Sequence, residues 1–397
     1  MRSFSFLPSL KFLTVALLCL KFFALLKEKI ILPKNRKAIW FGYICLFLIA
    51  PFVKIFLFTT ALSFVGSCAT LSHNEKIQEI KDNIVIEQPA KIMAYANTIT
   101  GKELEEHLYT FSSDEFQGRK VGSPGQKLAV NFLKNYYINE GIPSAKGERN
   151  YFQTVPKSYL VSDYNVSENV LAFIKGSEKP EEVIIISAHL DHVGITEEGK
   201  INNGADDNGS GTVALLEMAQ AFKKAQNEGF GPKRSILFLH VTAEEIGLQG
   251  SLYYTQNPVF PLKNTIANLN IDMIGRVDKY HKDNPNYVYL IGADRLSTEL
   301  HYISEAINTE FFNLELNYKY NAEGESHRYY YRSDHYNFAK NGIPIIFYFN
   351  GEHEDYHQPT DTADKIDYPL LEKRTRFIFA TAWQLANQEK AIIADKY

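Results

Sequence analysis

Four apolar stretches of the chain lead into histidine and acidic residues, whose side chains can bind a metal ion. His189, Asp191 and His192 follow VIIISA, Glu244 and Glu245 follow ILFLHVTA, Asp272 follows IANLNI, and His357 lies in the loop after IPIIFYF. Imidazole and carboxylate groups are ligands of zinc, manganese and magnesium in proteins. The three cysteines, Cys19, Cys45 and Cys68, all lie in the first 68 residues. A metal bound to the rest of the chain must therefore be held by histidine, aspartate and glutamate.

A fifth segment, GADDNGSGTVALLE at residues 204–217, is compatible with two kinds of metal site. Counted from Asp206, it fits the calcium loop of EF-hand proteins, with Glu217 at the twelfth position. An EF-hand also needs a helix before the loop, and GITEEGKINNGA has no helical period of apolar residues. Glu217 moreover falls inside the predicted helix TVALLEMAQAF. We therefore expect this segment to supply one carboxylate, from Asp206 or Asp207, to a site built by several parts of the chain.

The sequence HEDYH, His353 to His357, satisfies the pattern H-E-x-x-H of zinc peptidases. In that pattern both histidines lie on one face of a helix. Asn350 and Gly351 precede the sequence and Pro359 follows it, and these residues disfavour a helix. We expect His353 not to bind metal and keep His357 as the candidate ligand.

Strand and helix signals alternate over residues 98–397. The predicted strands are NVLAFIKG, EVIIISAHLD, SILFLHVTAEE, TIANLNIDMIG, YVYLIGA and IPIIFYFNG, and the predicted helices include TGKELEEHLYTF, QKLAVNFLKNYYINEG, TVALLEMAQAFKKAQ, RLSTELHYISEAINTE and LLEKRTRFIFATAWQLANQ. Short apolar strands separated by helices are typical of a parallel sheet covered on both faces. We predict a single globular α/β domain with a mostly parallel central β-sheet and helices on both faces. Ligands of such sheets bind at the carboxyl ends of the strands, where the polar residues would meet.

The chain before residue 98 has a different character. LKFLTVALLCLKFFALL and AIWFGYICLFLIAPFVKIFLFTTALSFVG are strongly apolar, but charged residues and a proline interrupt them, so neither is a clean transmembrane helix. The end of the second stretch resembles a bacterial lipoprotein signal, in which Lys54 precedes an apolar run and Cys68 would carry the lipid. We expect residues 1–68 to be a targeting or membrane segment and residues 69–97 a polar tether.

The position of this signal suggests that the gene start is over-extended and that the first residues, to about residue 50, are absent from the mature protein. The alternative is an anchor of one or two uncleaved membrane helices. Either reading predicts a protein of the cell envelope, anchored in the membrane as a lipoprotein or otherwise periplasmic or secreted.

The overall composition excludes some classes of partner. The 397 residues are 45% hydrophobic and 22% charged, with a formal net charge of -4. This is the composition of a globular protein. A chain without a basic surface excess is not suited to binding the phosphate backbone, so we expect no nucleic-acid partner.

The polar segments resemble the motifs of a known family, the co-catalytic di-zinc aminopeptidases. They occur as SAHLDHVG, NNGADDNGSG, TAEEIGLQGS, NIDMIGR and DYHQPTDT, in the family's order. The family shares its fold with glutaminyl cyclases, glutamate carboxypeptidase and the transferrin-receptor ectodomain. The resemblance covers residues 98–397 and implies a zinc-exopeptidase domain of the phosphorylase/hydrolase-like type.

By position in these motifs, the resemblance implies two zinc ions. His189 and Asp272 would hold one ion, Glu245 and His357 would hold the other, and Asp207 would bridge both. Two metal ions about 3.5 to 4 Å apart need a shared anion between them, which is the part that a bridging carboxylate fills.

The resemblance also implies catalytic and supporting roles. Glu244 would take a proton from the zinc-bound water and return it to the leaving amine, and Tyr356 would help to polarise the scissile carbonyl. Consecutive side chains at the end of a strand point to opposite sides, so Glu245 would face the metal while Glu244 faces the water. Asp191 would accept the second N–H of the His189 ring. Asp206 would be a supporting acid near the metal ligands. Three further residues could line the cleft or could be structural: His192, Arg276 and His335.

The sequence therefore predicts a metal-dependent aminopeptidase that removes N-terminal residues from peptides. Two alternatives stay open at this point. One is a glutaminyl-peptide cyclase that uses a single zinc ion, and the other is a non-catalytic, receptor-like relative of the same fold.

Overall fold

Eight strands form one mixed sheet in the computed structural model, which describes residues 72–147, 150–161 and 163–396. The strands are β1 (Phe152–Val155), β2 (Ser167–Ile174), β3 (Lys179–His189), β4 (Arg234–Val241), β5 (Thr265–Ile271), β6 (Tyr287–Ile291), β7 (Glu315–Asn317) and β8 (Ile345–Phe349). Their order across the sheet is β1-β2-β4-β3-β5-β8-β6-β7. The central strands β4, β3, β5 and β8 run parallel to one another, and β2 and β6 join them in the antiparallel direction. The predicted fold class, with its parallel centre, is confirmed.

The registers of the central strands bring their carboxyl ends to one edge of the sheet. His189, the last residue of β3, pairs with Val241, the last residue of β4. Ile271, the last residue of β5, pairs with Tyr348 near the end of β8. The segments that follow these four strands therefore begin side by side, and they are the segments that carry the polar residues.

Nine α-helices lie within the described part of the chain. They are α1 (His73–Asn83), α2 (Pro89–Ala96), α3 (Gly101–Phe111), α4 (Pro124–Asn139), α5 (Gly211–Asn227), α6 (Gln249–Gln256), α7 (Thr298–Ile307), α8 (His335–Ala339) and α9 (Tyr368–Asn387). The predicted start of α3 is confirmed, because the hydroxyl of Thr100 accepts the N–H of Glu103 at 3.2 Å, as an N-cap residue does. The edge strands β1 and β7 and the short helices α6 and α8 were not predicted, since three to eight residues give too little periodic signal.

Helices cover both faces of the sheet. Ile184 and Ile186 of β3 belong to the core that contains α5 and α9, whereas Ile185, between them, packs in a second core with Tyr254 of α6 and Phe338 of α8. This alternation follows from the pleat of the strand, which sends successive side chains to opposite faces. A strand buried on both faces must be apolar throughout, as VIIIS is.

The packed domain begins earlier than the sequence predicts. Helices α1 and α2 lie inside residues 69–97, which we expected to be a polar tether. Ile92 and Tyr95 of α2 are buried, and the Tyr95 ring stacks on Trp383 of α9 with 5.4 Å between the ring centroids. Short helices such as α2 are hard to recognise in sequence because their stability comes from tertiary packing.

The predictions for residues 1–68, including the lipoprotein signal and Cys68, lie outside the described residues. Among the described ranges, no helix has the length and apolar character that crossing a membrane requires.

Candidate metal centre

His189 at the end of β3 lies at the centre of the polar edge. Its Nε2 atom is 3.3 Å from Oδ1 of Asp207 and 3.3 Å from Oδ1 of Asp272. Its Nδ1 atom is 3.1 Å from the main-chain oxygen of Asp191, while the Asp191 carboxylate is 4.0 Å away. The group that orients the ring is therefore the carbonyl of Asp191 and not its side chain, because the turn after β3 directs that carbonyl to the ring.

The carboxylate of Asp191 holds the turn after β4 instead. It accepts the N–H of Glu244 at 3.2 Å and the N–H of Glu245 at 3.4 Å. These glutamates lie in a turn and not on an extended strand, since β4 ends three residues earlier and Ala243 has a φ of +59°. Both side chains line one pocket with His189. The prediction that they point to opposite sides is wrong, because strand alternation does not continue through a turn.

Asp207 lies between two histidines. Its Oδ1 atom is 3.3 Å from Nε2 of His189, and its Oδ2 atom is 3.0 Å from Nε2 of His357. The side chain is almost fully buried, with 4% of its surface exposed. A carboxylate whose two oxygens face two different imidazoles has the arrangement that a bridging ligand needs.

Asp206, the preceding residue, turns away from this cluster. Its Oδ1 atom accepts the N–H of Gly275 at 2.7 Å, and its Oδ2 atom is 3.2 Å from Nε2 of His353. Both oxygens thus have partners inside the protein. Of the two adjacent aspartates, Asp207 is the one whose carboxylate faces the histidines of the cluster.

The start of α5 explains the small residues after these aspartates. A Cβ atom on Gly211 would overlap the side-chain oxygen of Asn208 and the main-chain oxygen of Ile271. The Asn208 amide in turn donates to that Ile271 oxygen at 2.8 Å. Glycine therefore allows the helix to begin directly against the end of β5. Glu217, which a calcium loop would require, lies within α5 with its carboxylate 3.3 Å from Nε2 of His107.

Asp272 follows β5 and is held by a serine. Ser333 donates its hydroxyl to Oδ2 of Asp272 at 2.7 Å and accepts the amide of Asn270 at 2.9 Å. This leaves Oδ1 of Asp272 directed at His189. The hydrogen bonds fix which of the two carboxylate oxygens can face a metal.

The loop after β8 contributes His357 and Tyr356. The segment HEDYH is not helical, as predicted. Nε2 of His357 is 3.1 Å from Oε2 of Glu245, and the side chain is 36% exposed, so it forms an accessible wall of the cluster. Tyr356 stacks on the His357 ring with 3.9 Å between the centroids and lines the pocket that contains Glu244.

His192 takes a place in the cluster that the sequence did not assign to it. Its Nδ1 atom is 2.8 Å from Oε1 of Glu245 and 3.6 Å from Oδ2 of Asp207. Among the described residues, three sets of ligand atoms lie close enough to hold a metal, and Asp207 belongs to two of them. These two are His189, Asp207 and Asp272, and His192, Asp207 and Glu245, while the third is His189, Glu244 and Glu245. His357 contacts the same two carboxylates as His192, so two histidines compete for one role.

The unpaired atoms of the cluster fit a metal ion. Oδ2 of Asp207 and Nε2 of His357 are buried without a hydrogen-bond partner. These two atoms are 3.0 Å apart but are not oriented as donor and acceptor. Buried polar atoms without partners are costly. Ligands that face a common point without bonding to each other suit a cation between them.

The electrostatics of the cluster lead to the same conclusion. Burial acts to raise the pKa of Asp207, but the neighbouring imidazoles of His189, His192 and His357 hold it well below its usual range. Burial acts to lower the pKa of His357, yet Asp207 and Glu245 raise it to about 10. The buried carboxylates are thus stabilised by positive charge on the surrounding imidazole rings. A divalent metal ion would supply the same positive charge.

Glu244 differs from its neighbour in having an uncompensated carboxylate. Burial raises its pKa well above the usual range, and Asp272 and Glu245 add to this rise, while His189 acts to lower it. Burial also raises the pKa of Tyr356, with the charges of Asp207 and Glu245 adding to it, so the phenol stays protonated. The pocket therefore contains one proton acceptor with raised basicity and one neutral donor.

The main chain is strained next to three of these side chains. Ala243, Met273 and His357 have φ angles of +59°, +58° and +55°, values that side chains other than glycine rarely adopt. Each of these residues is, or directly adjoins, a residue of the cluster. Strain of this kind is concentrated at functional sites, where the surrounding structure enforces it.

Two residues named as possible cleft walls are structural. His335 is buried, and its Nε2 atom lies 2.8 Å from the main-chain oxygen of Tyr330. Arg276 pairs with Asp355 at 2.9 Å. The sequence reasoning missed Arg119, whose buried guanidinium donates to the main-chain oxygens of Asn203 and Gly204 just before Asp207. No local pattern marks such a residue, because its partners are main-chain atoms far away in the sequence.

Known proteins resemble this chain over more than half of its length. Aminopeptidase YwaD of Bacillus subtilis is 28% identical over 232 residues, which are 56% of this chain and 46% of the relative. Leupeptin-inactivating enzyme 1 of Streptomyces exfoliatus is 30% identical over 259 residues, 65% of this chain and 50% of the relative. The chain spans about half the length of these relatives.

Solved structures share the fold. The LapA aminopeptidase of Legionella pneumophila aligns with a TM-score of 0.60 and 20% identity over 77% of both chains. The glutaminyl cyclase of Porphyromonas gingivalis aligns with a TM-score of 0.58 and 17% identity over 72% of this chain and 98% of that one. The sequence profile of peptidase family M28 matches residues 169–382, from β2 to α9, and so includes every segment of the cluster. On this match over more than half of its length, the chain belongs to peptidase family M28.

Proposed function

We propose that the protein is a metal-dependent aminopeptidase that binds two zinc ions and releases N-terminal residues from peptides. The observation that carries the proposal is the position of Asp207, whose two oxygens face His189 on one side and His357 on the other at 3.3 and 3.0 Å. A buried carboxylate shared in this way suits two adjacent cations better than one.

His189 and Asp272 would hold the first ion, and Glu245 and His357 the second. We assign His192 to orient Glu245, because it already bonds to Oε1 at 2.8 Å and leaves Oε2 of that carboxylate facing His357. Such supporting bonds are common behind metal ligands. When bound, the two ions would supply a polarised carbonyl and a water of lowered pKa.

Glu244 would receive the proton of the attacking water on its carboxylate and return it to the leaving amine. Burial raises the pKa of its carboxyl group, which favours binding of the water proton, and the resulting carboxylic acid can donate that proton to the amine. Tyr356 keeps its phenol proton and lines the same pocket, so it would donate a hydrogen bond to the oxygen of the scissile carbonyl.

The expected peptide substrates and the envelope location are part of the same proposal. The lipid on Cys68, or an uncleaved membrane segment, would hold the domain at the membrane, where it would act on peptides of the cell envelope.

The proposal is tested with residues 69–397, purified and analysed for zinc content and for turnover of aminoacyl anilides. We expect two zinc ions per chain, hydrolysis of substrates with a free amino terminus, and a fall in kcat of more than about a hundredfold in Glu244→Gln with zinc retained. Unchanged turnover in Glu244→Gln would remove the assigned mechanism. One zinc ion per chain together with cyclisation of N-terminal glutamine would replace the aminopeptidase by a glutaminyl cyclase.

A further inference from the structure

The loop that carries His357 also holds the turn that carries Asp207. The carboxylate of Asp361 accepts the N–H of Asp206 at 3.0 Å and the N–H of Asp207 at 3.1 Å. The main-chain oxygen of Asp361 accepts the N–H of Ala205 at 3.1 Å. The N–H groups of three successive residues, 205 to 207, are thus all bonded to Asp361. Asp361 lies only four residues after His357 on the same loop.

Asp361 is fully buried, so this contact is shielded from water. A charged acceptor binds N–H groups more strongly than a neutral one, and a buried N–H group without an acceptor is costly. The two bonds therefore fix the peptide planes on both sides of Asp206. The second of these planes ends at the Cα atom of Asp207 and so restricts the direction in which its side chain leaves the main chain.

The direction of Asp207 matters at both ends of the cluster. Its Oδ1 atom faces His189 and its Oδ2 atom faces His357, so a rotation that improves one contact weakens the other. His189 is positioned by β3, whereas His357 is positioned by the loop that contains Asp361. Asp361 therefore joins the loop of His357 to Asp207, the residue that faces both His357 and His189.

We propose that Asp361 is a positioning residue that couples the two metal positions, because it orients Asp207 and ties it to the loop of His357. This inference rests on the proposed function, since it assumes that Asp207 bridges two ions. It assigns to Asp361 an effect on both ions, although Asp361 would contact neither.

The same loop contains a matched control. Asp355 is also buried, and it forms ion pairs with Arg276 at 2.9 Å and with Lys365 at 2.7 Å. These two side-chain partners lie outside residues 205–207, so Asp355→Asn disturbs the loop without releasing the Asp207 turn. Asp361→Asn makes the same chemical change, but it removes the negative charge and replaces one of the two oxygens that accept the N–H of Asp206 by an NH₂ group, which can only donate.

The test compares zinc affinity, measured by competition with a chelator, for the full-length wild-type chain, Asp361→Asn and Asp355→Asn. We expect Asp361→Asn to weaken both zinc sites by about 10- to 100-fold, the range found for groups that support metal ligands. We expect Asp355→Asn to stay within about threefold of the wild type, because it supports no ligand directly. Kinetics at saturating zinc should show a lower kcat in Asp361→Asn with little change in KM.

A purely structural role for Asp361 would give a different result. Asp361→Asn would then lower the unfolding temperature of the zinc-free chain while the folded fraction kept wild-type zinc affinity, and that outcome overturns the inference. If Asp361→Asn does not fold, Asp361→Ser retains one acceptor in a smaller side chain and is held to the same criterion. A wild-type chain that binds no zinc would overturn the proposed function, whereas normal zinc binding in both Asp361 variants overturns this inference alone.

Discussion

Two adjacent aspartate–histidine pairs in this protein have opposite surroundings. The inner pair, Asp206 and His353, is 3.2 Å apart with both side chains fully buried. The outer pair, Asp207 and His357, is 3.0 Å apart with the His357 side chain 36% exposed. The two pairs are formed by neighbouring aspartates and by histidines four residues apart on one loop. Chemically they are the same, so their difference in role comes from geometry.

The difference lies in what else each carboxylate contacts. Asp206 completes its bonding with the N–H of Gly275, and the pair is closed within the protein. Asp207 has an oxygen without a hydrogen-bond partner and faces a second histidine, so the pair is open to a further ligand. The inner pair therefore supports the loop and the outer pair is free to bind metal.

Removal of the Asp207 carboxylate should have the largest effect on zinc binding and activity. We expect Asp207→Asn to lower kcat/KM by more than about a hundredfold and to reduce zinc below two ions per chain, because support groups alone already change metal affinity 10- to 100-fold and Asp207 would be a ligand of both ions. Zinc analysis and aminoacyl anilide turnover measure this. Equal zinc loss in Asp206→Asn, the matched control, would mean that the outer pair is wrongly assigned.

The second largest effect should be a difference in zinc retention between substitutions of His357 and of His353. We expect His357→Ala to retain one zinc ion of two, since the ligands around His189 stay intact. His353→Ala should retain two ions, with lower thermal stability. Metal content after dialysis against zinc-free buffer distinguishes these outcomes. If His353→Ala loses zinc as completely as His357→Ala, the distinction between inner and outer pair is false.

The inner pair should act on stability with a defined pH window. Burial alone would raise the pKa of Asp206, but the bond to His353 holds it below the usual 3.8, so its contribution is lost as the pH falls through that lowered value. Burial alone would lower the pKa of His353, but Asp206 raises it above 6.5, so its contribution is lost as the pH rises through that raised value.

We therefore expect Asp206→Asn to lower the free energy of unfolding by about 3 kcal/mol, as loss of one partner of a buried ion pair does. The loss should be largest between about pH 4 and pH 6.5 and smaller at higher pH. Denaturant unfolding of the zinc-free chain at several pH values measures it. A difference from wild type that stays constant up to pH 9 would show that the pair is not charged in the folded protein.

The smallest effect should come from the third acidic residue of the segment GADDNGSGTVALLE. Glu217 faces His107 inside the protein and not the aspartates, so we expect calcium to change the unfolding temperature by less than about 1 °C in the wild type and in Glu217→Gln alike. A calcium-dependent rise in the wild type that Glu217→Gln abolishes would restore the calcium loop.

The local sequence was sufficient for the elements with a strong periodic signal. The apolar runs VIIIS and ILFLHV predicted β3 and β4, because a strand buried on both faces must be apolar throughout. Thr100 and Glu103 predicted the start of α3, because the cap and its partner are three residues apart. The rule that parallel strands end at one edge then brought His189, Glu245, Asp272 and His357 together without any coordinates.

The tertiary structure alone decided what each carboxylate does. Asp206 and Asp207 are identical neighbours in sequence, and only the bonds from Asp361 and the turn into α5 direct one inward and the other toward both histidines. His192 and Asp361 are likewise defined by partners more than 50 residues away. A sequence specifies which residue types reach the sheet edge, because periodicity and strand direction are local properties. The orientation of a side chain depends on hydrogen bonds between distant segments, and these exist only in the folded protein.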